Sequence, residues 1–389
     1  MAATEIVIDC TELIRLPINT GIQRVVRSLL RHWPRDEQFA TPVVSYLRKD
    51  GMARVPQRAL EFVLSMPDRN DDPEAAQRQM EALLADNAGS PPPRALHFIP
   101  ELFYDRFRCD FYQRRLTARH PLAMLAYDFL PFSRPELFSL RTSADLMDYL
   151  RLVRQATYVA HISRDTRDDY FSRIRRRPSP AHDTILPLGA DGVTAGPQTW
   201  HPGRRGFLVI GTLDKRKNQH LVLEAFETLW RAGYDTPLTL VGRPLANTRL
   251  DWIERARSFP HFRWLDNAPD EALAGEMQKA RCTIYASEIE GFGLPPIESL
   301  YCGVPVIATA TLPSVRQVEG DAIVRLDAVT ADSIRQAVLN VLDDREAERL
   351  WRAAEAMRLP SWADFARDTA AWLTGLAQPA PGNPSAKAA

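Results

Sequence analysis

The sequence predicts an α/β protein of two doubly wound domains facing a cleft. Three observations predict it. At ~100–200 residues per domain, a chain of 389 residues makes two domains the first expectation. Short apolar runs alternate with amphipathic ones along most of it, the pattern of parallel strands joined by right-handed helical crossovers. The alternation breaks once, near 188–205, where GADGVTAGPQTWHPGRR is rich in glycine, proline and polar residues, and then resumes.

In the first half, residues 5–9, 42–47, 95–100, 122–127 and 158–163 read as strands. Residues 22–32 read as a helix with Val25, Val26, Leu29 and Leu30 on one face, and 143–155 and 164–174 as two more. Residues 50–93 are polar and irregular, with one helix expected near 74–84, and read as an excursion from the core. In the second half, strands are expected at 207–211, 238–241, 262–265, 282–286 and 304–308. The helices between them fall at 219–231, with Asn218 as cap and Gly233 as stop, at 270–280, and at 295–301. The expected division is 1–195, 196–360, a C-terminal helix at 361–377, and a disordered Pro/Ala/Gly-rich tail at 378–389.

Composition narrows the function. Apolar residues make up 45% and charged residues 25%, ordinary for a globular protein. Acids and bases balance at 49 each, which argues against a nucleic-acid binder. No run approaches the ~20 apolar residues of a membrane span, and the first residues lack the basic and apolar regions of a signal peptide. Cys10, Cys109, Cys282 and Cys302 form no CxxC pair and are expected to be reduced thiols of a cytoplasmic protein. No convincing Asp-x-Asp metal motif occurs, and Asp168-Asp169 and Asp343-Asp344 read as helical surface charge. Only five of the basic residues are lysine, and two of them, Lys215 and Lys217, fall together just after a predicted strand.

The most informative stretch is SEIEGFGLPPIESLYCGVP, residues 287–305. A strand runs into Glu290, then the loop Gly291-Phe292-Gly293, then a helix beginning near Leu294. Glycines let a backbone approach a ligand closely, and a helix N-terminus favours an anion such as a phosphate. Glu298 is expected in the first helical turn, where it can accept hydrogen bonds from a vicinal diol or serve only as a partner of the helix dipole.

The string of two glutamates with seven residues between them, the GFG loop and the following CGVPVIA resembles the signature of family-four retaining glycosyltransferases, which have the GT-B fold of two Rossmann-like domains. The resemblance extends over most of the chain. GTLDKRKNQHLVLEAF (211–226) is similar to the family's phosphate-binding strand–loop–helix, and LVGRP (240–244), with Gly242, to its next strand and nucleotide-side loop. FRWLDNAPDEALAGEMQKARCTIYAS (262–287) resembles the run leading into the glutamate loop. NTGIQRVVRSLL (19–30) is similar to the loop and helix that approach donor sugar and acceptor, YDFLPFSRPELF (127–138) to a cleft segment, and SWADFA (361–366) to a C-terminal helix that crosses back to the first domain. Bacterial enzymes that transfer mannose-like sugars in cell-surface polysaccharide assembly resemble it most.

The resemblance implies a retaining hexosyltransferase, and the missing Asp-x-Asp motif points to one that needs no metal and no cofactor. It would move a mannose-like sugar, from a GDP-sugar rather than a UDP-sugar, to a saccharide or lipid-linked acceptor in polysaccharide or lipopolysaccharide synthesis. Lys217 and Arg216 would hold the donor diphosphate, Glu298 the ribose, and Glu290 would lie near the sugar, with the amides of Phe292, Gly293 and Leu294 near the phosphates. Gly21 would leave room for the leaving phosphate, and Asp128 would orient hydroxyls. Two positions depart from many relatives: Thr212 stands where an arginine is common, with Arg216 as the substitute, and Tyr127 where a histidine precedes the aspartate. The basic clusters Arg173, Arg175, Arg176, Arg177 and Arg114, Arg115, Arg119 read as solvated charge or as contacts to anionic lipid, which leaves peripheral attachment at the inner membrane face open. The alternatives are a catalytically impaired GT-B relative that binds nucleotide or a partner, or a GT-B phosphorylase or epimerase.

Overall fold

The computed structural model describes residues 5–17, 20–66, 72–86, 88–175, 183–193, 195–245, 248–266 and 268–378. Contacts divide them into two units. The first runs to Leu188 and takes the chain back from Trp362; the second is Gly189–Ser361.

The first unit is built on a seven-stranded sheet of β1 (Ile6–Asp9), β2 (Val43–Arg48), β3 (Gly51–Arg54), β4 (Leu96–Ile99), β5 (Leu122–Ala126), β6 (Tyr158–His161) and β7 (Asp183–Ile185), ordered β3-β2-β1-β4-β5-β6-β7. All neighbours are parallel except the β2–β3 hairpin. Strands β1, β4 and β5 are buried at every residue, as expected of parallel strands covered on both faces.

The stretch 50–93 is more structured than its polarity suggests. Besides the helix Pro73–Leu83 it holds β3 and the helix Gln57–Ser65. That helix buries only Ala59 and Val63, too sparse a stripe to stand out in the sequence. The helix Arg106–Thr117 also escaped the sequence pattern, because the face it buries carries Arg108 beside Cys109 and Tyr112.

The second unit holds a wholly parallel sheet of β8 (Gly206–Ile210), β9 (Leu238–Val241), β10 (Phe262–Leu265), β11 (Ala280–Tyr285), β12 (Val306–Thr309) and β13 (Ile323–Leu326), ordered β10-β9-β8-β11-β12-β13. Helices Gln219–Arg231 and Ala331–Leu342 pack together, with Phe226, Leu229 and Val338 joining Phe207, Leu240, Ile284 and Ile307 in the core.

The segment read as a linker is packed onto this second unit. Gln198 donates its backbone N–H to the Cys302 carbonyl at 2.7 Å. The Arg204 guanidinium lies 4.4 Å over the Trp351 ring, and Arg281 lies 5.0 Å over Trp200. Aromatic and cationic side chains alternate there, and neither registers as apolar periodicity. The C-terminal helix Trp362–Ala377 joins the first unit, against Gly21–Arg31 and β1. Thr374 Oγ1 accepts the Ala40 N–H at 3.2 Å, and Trp372 meets Phe98 edge-on. The tail expected at 378–389 lies outside the described residues beyond Gln378. All four cysteines are buried free thiols. Among the described residues no helix is long and apolar enough to cross a membrane.

Trp351 is fully buried, donates Nε1–H to the Arg281 carbonyl at 2.8 Å and carries Arg204 on its face. Trp351→Ala is expected to cost ~3–5 kcal/mol of stability, read by chemical denaturation, because the cavity and the lost ring contacts fall at one point.

Candidate active site

In an open parallel sheet, ligands bind beyond the C-terminal ends of the strands, where the order of connection reverses. In the second sheet that point lies between β8 and β11. A small pocket opens there, lined by Ile210, Lys217, Gln219, Tyr285, Ser287, Glu290 and Gly293 among others.

One wall comes from the turn after β8. Gly211 leaves its upper side bare, and a Cβ built there would meet Lys217 Nζ at 3.0 Å. The ammonium is thus held over the backbone at the strand end. It lies 3.6 Å from Glu290 Oε1, and Ser287 Oγ donates to the same oxygen at 2.9 Å. Gln219 braces the turn by accepting the Asp214 N–H at 3.4 Å and donating to the Thr212 carbonyl at 3.0 Å. Asn218 stands before the helix in the left-handed region with φ 52°, and its side chain donates to the Ala286 carbonyl at 3.1 Å. It stands at the N-cap position read from sequence, but its side chain caps no N–H and ties the turn after β8 to the end of β11 instead.

Arg216 is placed differently from Lys217. Its guanidinium is ion-paired with Asp214, with Nε 2.9 Å from Oδ2. Burial disfavours the Asp214 charge, but Arg216 outweighs it and holds the carboxyl below the usual range. The Arg216 carbonyl accepts the Glu288 N–H at 2.7 Å, which joins the two loops again.

The opposite wall is the glutamate loop. Gly293 takes φ 88° at the start of the helix Leu294–Tyr301, and a Cβ there would press on Ser314 Oγ at 3.0 Å. No side chain caps this helix. Pro295 and Pro296 remove two of its first N–H groups, so the amides able to face an anion are those of the tip and of Leu294. Phe292 is buried, and its carbonyl accepts the Ser314 N–H at 3.0 Å.

Glu298 is the fifth residue of this helix and not in its first turn, so the reading as a simple dipole partner falls away. It is 4% exposed and is not among the residues that line the pocket. Burial first, and then the Glu298 carboxylate, push the Tyr285 phenol well above its ordinary range and the Cys302 thiol up to about 12. Gly242 belongs to the same floor: a Cβ would collide with the Gly211 carbonyl oxygen, so the ends of β8 and β9 approach as only glycine allows. Trp264 Nε1 donates to the Gly242 carbonyl at 3.0 Å.

Sequence reasoning missed Gln219, Ser287 and Tyr285. Gln219 stood in view as the residue after the basic run, but its bracing role depends on a turn geometry that no periodicity encodes.

The two remaining predicted residues lie in the first unit. Asp128 follows β5 and accepts the Leu130 N–H at 3.1 Å, the geometry of a turn cap. Its charge adds to burial in raising Tyr104 and Tyr149. Gly21 opens the helix Gly21–Arg31 under a Thr20 capping box, and a Cβ there would meet nothing within 4 Å. Of the basic clusters, Arg115 donates to the carbonyls of Pro93 and Ala95 and Arg173 pairs with Asp169, which makes them structural; Arg176 and Arg177 lie outside the described residues. Among the described residues no group of three or more His, Cys, Asp or Glu is placed to hold a metal ion.

Residues 197–357, within the second unit, match the family model of glycosyl transferases group 1. The chain is 27% identical over 327 residues to the serotype-specific mannosyltransferase WbdA of Escherichia coli, covering 78% of this chain and 37% of that protein. It is 35% identical over 170 residues to the Escherichia coli O-antigen chain mannosyltransferase B, covering 42% of this chain and 44% of that protein. It therefore spans less than half the length of either relative. The sucrose-phosphate synthase of Thermosynechococcus elongatus shares its fold, with a TM-score of 0.65 at 15% identity over 96% of this chain and 99% of that one. The second unit thus matches the glycosyl transferases group 1 model, and the chain is a GT-B protein related to bacterial mannosyltransferases.

Gly242→Ala is expected to force the ends of β8 and β9 apart and to cost ~2–4 kcal/mol of stability, in the range of backbone-incompatible substitutions. Denaturation measures it; an unchanged midpoint contradicts the close approach.

Proposed function

We propose that the protein is a retaining, metal-independent hexosyltransferase that moves a mannose-like sugar from a GDP-sugar to a saccharide or lipid-linked saccharide in polysaccharide or lipopolysaccharide assembly. One observation carries the reading: a lysine ammonium held over a bare glycine backbone, opposite a helix start with no side-chain cap, at the strand switch point of the second sheet. That combination suits a diphosphate. The mannosyltransferase relatives support the sugar, and mannose is a sugar carried on GDP.

The difficulty in such a transfer is the charge that grows on the leaving diphosphate. Lys217 and the amides of Phe292, Gly293 and Leu294 are assigned to it. Arg216 contributes at most its field, since Asp214 already holds its guanidinium. Glu290, steadied by Ser287, is assigned to the sugar hydroxyls, Glu298 to the ribose and Asp128 to acceptor hydroxyls. The acceptor oxygen forms its bond to the anomeric carbon on the face from which the phosphate oxygen departs. The acceptor proton passes to that departing oxygen, so configuration is retained and no protein nucleophile is needed. Gly21 is assigned to the leaving phosphate, where a side chain would crowd it. Peripheral contact with the inner membrane face, where lipid-linked acceptors lie, belongs to the same proposal.

Thermal stabilisation by GDP, UDP and their sugar conjugates tests the donor; stabilisation by UDP alone removes the guanine assignment. Turnover is expected to survive excess EDTA. Complete loss, restored by magnesium or manganese, contradicts metal independence.

Lys217→Ala and Glu298→Gln are expected to fail differently. Lys217→Ala lowers turnover by ~2–4 kcal/mol with little change in GDP affinity, because its charge acts as the phosphate leaves. Glu298→Gln weakens donor binding by ~1.5–3 kcal/mol, the range for a hydrogen bond to a charged group. Glutamine is chosen because Glu298 is buried and alanine would leave a hole. Calorimetry and turnover measured separately decide each assignment.

A further inference from the structure

The first sheet has its own switch point, between β1 and β4. The chain fills that crevice itself. Asp9, at the end of β1, accepts from the Thr11 N–H at 3.0 Å, from Arg108 Nε at 2.9 Å and from the Tyr112 hydroxyl at 2.7 Å. Glu101, just beyond β4, lies 2.8 Å from Arg108 Nη1. Its two oxygens accept the N–H groups of Glu12 at 2.9 Å and Leu13 at 2.8 Å. Asp9, Arg108 and Tyr112 have no exposed surface, and Glu101 is 1% exposed.

Two buried carboxylates share one arginine here. Burial pushes the Glu101 carboxyl up to about 7 even with Arg108 beside it. An ion pair buried in this way adds little net stability over well-packed apolar residues. What it fixes is position. Glu101 holds the start of the short helix Thr11–Arg15. At the helix end, the Leu16 carbonyl accepts from Gln23 Nε2 at 2.7 Å. Gln23 is also the partner of Thr20 in the capping box that opens Gly21–Arg31. Hydrogen bonds thus link Glu101, through the helix Thr11–Arg15 and Leu16, to Gln23 and Thr20, the two residues of the capping box that flank Gly21.

We propose that Glu101 is a positioning residue for the transfer reaction: by holding the Thr11–Arg15 helix it sets, through Leu16 and Gln23, where the chain at Gly21 stands. This rests on the assignment of Gly21 to the donor side.

The test uses the full chain with Glu101→Ala and Glu101→Gln. Alanine leaves a hole facing two amide donors and the Arg108 guanidinium, which formate has the charge and shape to fill. Glutamine fills the space but sets its NH2 against a donor. Three results are expected. Hydrogen exchange at residues 12–16 speeds up ~10-fold or more in both variants, while β4 and β5 keep their protection. Turnover of GDP-mannose falls ~10-fold, the size of one charged hydrogen bond, while GDP affinity changes less than about twofold. Formate restores both exchange and turnover in Glu101→Ala and neither in Glu101→Gln.

The proposal is overturned if exchange at 12–16 is unchanged in Glu101→Gln, if protection is lost uniformly through the first unit, or if formate restores protection without turnover. If the unaltered protein transfers no sugar, the hydrogen-exchange and formate results still decide whether Glu101 positions the helix, and the failure falls on the proposed activity alone.

Discussion

The second unit is organised around the place where Lys217 meets the end of β8. The ammonium can lie there only because Gly211 carries no side chain, and Gly211 can sit there only because Gly242 lets β9 come against its carbonyl. The turn is then fixed from three sides: Gln219 holds its carbonyl and amide, Asn218 reaches the Ala286 carbonyl, and the Arg216 carbonyl takes the Glu288 N–H. These bonds set Glu290 within 3.6 Å of the ammonium. A cation whose position is fixed before a ligand arrives needs no reorganisation as charge develops, the condition under which electrostatic stabilisation is largest.

The two units make opposite use of the same architecture. Both sheets are doubly wound, and each has a point where its strand order reverses. In the first, a carboxylate of the chain caps the neighbouring helix and an arginine neutralises it. In the second, the helix start has no side-chain cap, two prolines thin its donors, and a lysine stands across from it. One switch point holds a buried internal ion-pair cluster, and beside the other the pocket with Lys217 and Glu290 opens.

The elements that the sequence made legible share one property. A strand such as LAMLA is covered on both faces, so it appears as an unbroken apolar run, and the helix Gln219–Arg231 buries Val222, Leu223, Phe226, Leu229 and Trp230 at helical spacing. The elements it hid bury polar or sparse faces. Arg108 inside the helix Arg106–Thr117, the two small residues of Gln57–Ser65, and the Trp–Arg stacking of the 198–204 segment all break the periodicity on which such reading depends.

The sequence by itself determined the fold class and carried the resemblance that the family match of the second unit bears out, because strand–helix alternation and the spacing of Glu290, the GFG loop and Glu298 are local properties of the chain. It also brought out Lys217, one of few lysines beside a strand end. Only the tertiary structure decided that Arg216 is held by Asp214, that Glu298 is buried in the second turn of its helix, that Asn218 ties two strand ends together, and that Arg108 pairs with both Asp9 and Glu101, which stand far apart in the sequence. The reason is physical. A charge's role depends on its counter-charge and its distance from water, and residues far apart in the chain supply both.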